Sequence, residues 1–106
     1  LRALAVTSAK RIASAPELPT IMESGVAGYD VTGWFGLLAP ARTPKAVIAL
    51  LNTEVNKAIK RQDVRDRLAT EGLEPLGSTP EEFAALIGND IEKWSRVARS
   101  AGIKPE

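Results

Sequence analysis

With 106 residues, 44% of them hydrophobic and 25% charged, the chain has the length and composition of one globular domain. Fourteen basic residues against thirteen acidic ones leave a net charge of +1, which gives no electrostatic footprint for nucleic acid. The absence of both cysteine and histidine excludes disulfide frameworks, thiol nucleophiles, Cys/His zinc sites and histidine triads, while carboxylate, lysine and tyrosine chemistry stays open. Cysteine usage is compatible with either redox compartment, and no apolar run has the length of a membrane span.

The chain opens on L-R-A-L-A-V-T-S, already inside an apolar run and without an initiator Met or a signal peptide, and so reads as a fragment. Residues 1–7 are too short for a stable helix and suit a strand buried on both faces. A loop rich in small residues and proline follows. Thr20 and Glu23 then form a T-x-x-E capping box, predicting one or two helical turns over residues 21–24 with Gly25 as the stop. After G-V-A-G-Y-D, the stretch V-T-G-W-F-G-L-L over residues 31–38 is expected to be a strand. Trp34 and Phe35 fall on opposite faces of it, and Gly33 and Gly36 leave room beside them, as a cleft, a bulge or a close backbone approach would require.

Thr43 as N-cap and Pro44 at the first helical position predict a helix to about Arg61, with Val47, Leu51, Val55, Ala58 and Ile59 on its apolar stripe. Asp63 is expected to cap a second, short helix that turns Val64 and Leu68 inward and stops at Gly72. Residues 73–76 are consistent with a short edge strand, since Pro75 cannot donate to a ladder. Thr79, Pro80 and Glu82 repeat the helix-start signal, and Phe83, Ile87, Ile91, Trp94, Ala98 and Ala101 form a helical stripe ending at Gly102. Trp94 in that stripe reads as a core anchor.

Chemistry-bearing patterns are sparse. Neither G-V-A-G nor G-W-F-G fits a nucleotide fingerprint, and no phosphate-binding loop or nucleophile elbow occurs. Glu81 and Glu82 are explained by capping and the helix dipole rather than as an acid/base pair. The helix starts at Thr20, Thr43 and Thr79 present N–H groups able to hold a carboxylate or phosphate. Lys10 and Arg11 follow the first strand, where open α/β sheets bind ligands, although surface charges have the same pattern. Lys57, Lys60, Arg61, Arg65 and Arg67, interrupted by Glu54, Asp63, Asp66 and Glu71, read as a solvated face. Strands that are apolar on both sides need neighbours, and these few supply too small a sheet.

Ordered segments along nearly the whole chain carry a resemblance: R-A-L-A-V-T-S-A-K-R at 2–11, E-L-P-T-I-M-E-S-G-V-A-G-Y-D-V-T-G-W-F-G-L-L-A-P-A-R-T-P at 17–44, L-N-T-E-V-N-K-A-I at 51–59, D-V-R-D-R-L at 63–68, L-E-P-L-G-S-T-P-E-E-F-A-A-L-I at 73–87, and A-G-I-K at 101–104. In these the chain resembles the C-terminal part of the Bug family, the periplasmic solute-binding proteins of tripartite tricarboxylate transporters. Ala27 replaces a common proline, Arg42 a common glycine and Gly33 a common serine, so no hydroxyl contact is carried over at position 33.

The resemblance implies an α/β fold, the C-terminal portion of a two-lobed type II periplasmic binding protein, with an incomplete sheet flanked by helices. Residues 1–42 would hold strands and a loop near the interlobe crossing, and 43–106 the mainly helical part of one lobe. It also implies a non-enzymatic periplasmic protein without cofactor that captures a small carboxylate or an amino acid and delivers it to membrane permease subunits. Thr32 and Trp34 are the ligand-binding residues it points to, on a strand where rings pack and glycines allow close approach. The competing class is a stand-alone interaction module that forms a homodimer through an exposed sheet edge. An enzyme is the third class.

Overall fold

Extended backbone becomes a sheet only where a second strand takes up its N–H and C=O groups, whereas a helix satisfies them internally. That difference divides the computed structural model, which describes residues 1–103, into two units, Leu1–Leu38 and Ala39–Glu106. Lys104, the end of the A-G-I-K segment, lies outside the described residues.

In Leu1–Leu38 the expected strands do not become a sheet. The one ladder element among the described residues is an isolated parallel bridge between Val6 and Thr20. In it the Val6 N–H donates to the Pro19 carbonyl at 2.9 Å and the Ile21 N–H to the Val6 carbonyl at 3.0 Å. A further bond ties the Val31 N–H to the Thr7 carbonyl at 2.9 Å. Residues 31–38 remain without ladder partners within the described chain, because no neighbouring strand of this chain lies alongside them.

The Thr20 capping box forms as the sequence predicts. The Thr20 N–H donates to Glu23 Oε2 at 2.8 Å, and the Glu23 N–H donates to Thr20 Oγ1 at 3.0 Å. The segment it starts is a hydrogen-bonded turn rather than a regular helix, closed by Gly25 at φ 108°. Thr20 is the buried residue of this unit, at 1% exposure, and sits where bridge and turn meet.

Ala39–Glu106 contains α1 (Lys45–Ala58), α2 (Gln62–Thr70) and α3 (Pro80–Ser100). Pro44, not Thr43, is the N-cap of α1: its ψ of 139° is still non-helical, and its carbonyl accepts from Val47 and Ile48. The helix stops at Ala58, three residues before the expected Arg61, in a tight turn where Lys60 and Arg61 donate to Lys57 and Ala58. Arg61 likewise displaces Asp63 as the cap of α2. Asp63 lies in the first turn, and both of its oxygens accept from the Arg61 guanidinium, at 3.0 and 2.8 Å.

The stop at Gly72 is a six-to-one closure. The Leu73 N–H reaches the Leu68 carbonyl at 2.9 Å and the Gly72 N–H reaches Ala69 at 3.0 Å, with Gly72 at φ 70°. Gly102 closes α3 in the same way through Ile103 to Ala98 and Gly102 to Arg99. At its other end α3 has the complete Thr79–Glu82 capping box. Residues 73–76 form no ladder among the described residues.

The α1 face turned toward the start of α3 shares only Val55 and the C-cap Ile59 with the expected stripe. Ile48, Asn52, Val55, Asn56 and Ile59 are half-buried, while Val47, Leu51 and Ala58 are exposed. The side-chain amides of Asn52 and Asn56 both donate to the Ser78 carbonyl, at 2.8 and 3.1 Å. An apolar count could not anticipate this, because the segment entering α3 presents a carbonyl that needs a donor. On α3, Phe83, Ile87 and Ala98 are half-buried, but Ile91, Trp94 and Ala101 are exposed. Trp94 is therefore not a core anchor within this chain; it is 45% exposed, with Lys93 Nζ 5.4 Å from its ring centre.

Among the described residues no apolar side chain is buried. The accessible surface is 9089 Å², against about 5,700 Å² for one globule of this mass or about 6,900 Å² for two. Among the described residues the apolar positions that the sequence patterns inward are only partly covered: Val55, Ile59, Val64, Leu68, Phe83 and Ile87 are half-buried, and Val47, Leu51, Ile91 and Trp94 are exposed.

Candidate functional site

The candidate site lies in Leu1–Leu38, where Thr7 and Ala9 meet Val31 and Asp30 at the start of the extended stretch that carries Thr32 and Trp34. Three hydrogen bonds join the two stretches or brace them. The Val31 N–H donates to the Thr7 carbonyl, the Ala9 N–H donates to Asp30 Oδ1 at 3.2 Å, and the Thr32 hydroxyl donates to the same Asp30 oxygen at 2.9 Å. Within the loop, the Ser8 hydroxyl donates to the Lys10 carbonyl at 2.7 Å and tightens its bend.

Thr32 and Trp34 lie two residues apart on the extended stretch that leaves Asp30. Both are exposed, Trp34 at 40%, and Phe35 between Trp34 and Gly36 is exposed at 86%. The Thr32 hydroxyl gives its proton to Asp30, so what it offers outward is lone pairs. Gly33 is not held by close packing: a Cβ there would meet no heavy atom of this chain within 4 Å.

The two basic residues after Thr7 part company. Arg11 is committed to the fold, its Nε 3.0 Å from Glu23 Oε2 and its Nη1 donating to the Pro16 carbonyl. The Thr20 backbone N–H, and after it the Arg11 guanidinium, hold the Glu23 carboxyl below its ordinary range. Lys10 is exposed and stays beside the loop that Asp30 tethers.

Two of the three helix starts offered as anion sites are closed by the chain itself. Glu23 fills the one at Thr20 and Glu82 the one at Thr79, leaving a carboxylate where an anion would have to sit. At α1 the cap is Pro44, which supplies no side-chain bond. Two members of the basic run pair with its own acids, Lys57 with Glu54 at 2.8 Å and Arg61 with Asp63. No group of three or more metal-ligating acids occurs among the described residues, and no described helix is long and apolar enough to cross a membrane.

Asp30 is the residue that reading along the sequence passed over. The available signal was its position two residues before Thr32 in D-V-T, a spacing at which a short acidic side chain reaches a nearby hydroxyl. Its bond to Ala9, 21 residues away, had no local signature.

Extended stretches and a mainly helical unit fit part of a periplasmic binding protein fold, and two solved structures, one of them a periplasmic binding protein, match the chain. The R. palustris protein Rpa4515, solved with adipate, matches 99% of this chain with a TM-score of 0.84 and 39% identity. The periplasmic binding protein BugD matches 96% of the chain with a TM-score of 0.82 and 33% identity. Each match covers 35% of the solved chain.

The profile of the tripartite tricarboxylate transporter family receptor matches residues 1–103, and the chain belongs to that family. Relatives include a protein encoded in the tcbD-tcbE intergenic region of Pseudomonas sp. strain P51, 42% identical over 98 residues, covering 92% of this chain and 29% of that protein. Protein BugT of Bordetella pertussis is 35% identical over 104 residues, covering 98% of this chain and 32% of its own length. The chain thus spans about a third of the length of the relatives it matches.

Proposed function

We propose that the protein carrying this chain is an extracytoplasmic receptor that captures a small carboxylate, an aliphatic dicarboxylate in the first instance, and hands it to membrane permease subunits. The observation that carries this reading is the adipate-containing R. palustris structure, which this chain matches at 39% identity and a TM-score of 0.84 over 99% of its residues. Capture and release make and break no covalent bond, so the receptor needs neither a nucleophile nor a cofactor. In this reading residues 1–42 lie near the crossing between two lobes and 43–106 supply the helical part of one lobe. In it Thr32 and Trp34 face the ligand, the ring supplying apolar area for a methylene chain and the Thr32 oxygen a site for a water that bridges to the carboxylate.

Titration calorimetry on the full-length protein tests the reading, with adipate, shorter dicarboxylates, tricarboxylates and amino acids in the panel. Saturable heat with a dicarboxylate is expected. A panel without any saturable heat overturns it.

A second reading, pairing of two copies through residues 31–38, is favoured by the exposure of Phe35, Leu37 and Leu38 at 86, 77 and 81%. Light scattering that finds the full-length protein monomeric would exclude it.

A further inference from the structure

We infer that Asp30 is a positioning residue of the candidate site, its carboxylate holding the 7–10 loop and the Thr32 hydroxyl in the arrangement that receives the ligand. The inference rests on the proposed role of Thr32 and Trp34 as ligand-facing residues. Its own basis is geometric. One oxygen of Asp30 accepts two donors from separate places, the Ala9 N–H at 3.2 Å from across the gap and the Thr32 hydroxyl at 2.9 Å on its own strand.

Beside these the Val31 N–H reaches the Thr7 carbonyl at 2.9 Å, so the two stretches are joined at adjacent points. A single backbone bond leaves a hinge about its own axis. A second bond displaced along the chain removes that freedom. Loop 7–10 follows the first extended stretch, the place where open α/β sheets bind their ligands, and Lys10 lies on it. Without the Asp30 tether, the Ala9 N–H loses its acceptor and the segments of Lys10 and Trp34 keep the Thr7–Val31 bond.

Asp30 also decides which way the Thr32 hydroxyl points. A carboxylate accepts and cannot donate, so the Thr32 proton is directed at Asp30, and a ligand carboxylate, which also only accepts, meets the Thr32 oxygen through a water that donates to both. Asparagine in the same rotamer keeps an acceptor oxygen for both donors. Alanine keeps none. The distinction therefore separates a role through hydrogen-bond geometry from one through charge.

The test compares Asp30→Ala, Asp30→Asn and Thr32→Val in the full-length protein, by hydrogen exchange of the segment containing Ala9 and by calorimetry with adipate. Asp30→Ala is expected to speed exchange at residues 8–10 and to weaken adipate binding about tenfold. Asp30→Asn is expected to keep most of both, and Thr32→Val to leave loop exchange unchanged, since Ala9 still finds its acceptor.

Binding by Asp30→Ala as tight as in the parent protein overturns the inference, as does a loss in Asp30→Asn equal to that in Asp30→Ala. Unchanged exchange at residues 8–10 in Asp30→Ala overturns it whether or not adipate binds. Failure of the unmutated protein to bind any dicarboxylate instead overturns the functional reading beneath it. Should Asp30→Ala be poorly folded, Asp30→Ser, which keeps a short acceptor, serves in its place, and recovery of loop protection there supports the tether.

Discussion

Leu1–Leu38 and Ala39–Glu106 are built on opposite economies of hydrogen bonding. The helical unit closes its own ledger: α1, α2 and α3 satisfy their backbone internally, and their ends are finished by Pro44, by the Thr79–Glu82 box, and by the closures at Gly72 and Gly102. The first unit leaves its backbone largely to others. Its organised part is one bridge, one capping box and the Asp30 tether, while residues 31–38 run extended and unladdered. A segment whose partners are distant in sequence can carry a site, because that site is completed by what packs against it.

The contrast predicts that the helical unit is sensitive at its joints. Gly77 stands at φ 65°, and a Cβ there would collide with the Asn56 side-chain oxygen and lie 3.0 Å from Ile59 Cδ1. Gly77→Ala should destabilise the protein by about 2–3 kcal/mol, combining the left-handed backbone with displacement of the Asn56 amide. Urea denaturation of the full-length protein measures it, and a change below about 0.5 kcal/mol would show that the α1–α3 joint is soft.

In the first unit the largest effect is expected at Thr20, buried and serving both bridge and cap. Thr20→Ala should cost about 2 kcal/mol, the upper end for loss of a cap, whereas Thr79→Ala at the exposed start of α3 should cost about 1 kcal/mol. Equal costs would remove the distinction between a cap that organises a unit and one that finishes a helix.

Acid should affect one joint in each unit. Glu23 is held below its ordinary range by the Thr20 N–H and then Arg11, and Asp63 by Arg61. A lowered folded-state value means that stabilisation is complete above the unfolded value, roughly 4.3 for glutamate and 3.9 for aspartate. It is lost as pH falls through the folded value, where the unfolded chain already binds the extra proton. Side-chain carboxyl NMR titration should find both groups below those references. Arg11→Gln should move Glu23 only part of the way back, because the backbone bond to Thr20 is the larger cause.

The smallest effect is expected at Gly33. Among the described residues no heavy atom lies within 4 Å of where its Cβ would be, so Gly33→Ala should change stability by less than about 0.5 kcal/mol. If it nevertheless abolishes adipate binding by the full-length protein, the empty space belongs to the ligand or to the lobe that closes on it.

The two capping boxes and the two glycine stops were legible in the sequence because their causes are local. Thr20 with Glu23 and Thr79 with Glu82 are three residues apart, and Gly72 and Gly102 each close the turn immediately before them. Asp63 misled because an acidic residue in a first helical turn and an acidic N-cap differ by only two positions, and Arg61 supplied a partner that settled which it was. Of the candidate site, Thr32 and Trp34 could be named from their segment, but the Asp30 bond to Ala9 could not, since 21 residues separate its ends.

By itself the sequence determined the three helices, the start of α3 and the glycine stops of α2 and α3, the extended character of residues 31–38 and, through ordered segments spread along the chain, the family. Only the tertiary structure decided which face of α1 turns to α3, that Arg11 belongs to Glu23, and that Asp30 joins two distant stretches. Periodicity and capping are set by neighbours a few residues away, which the order of residues states outright. Which face is covered and which carboxylate meets which donor depend on segments brought together from afar, and those pairings exist only once the chain has folded.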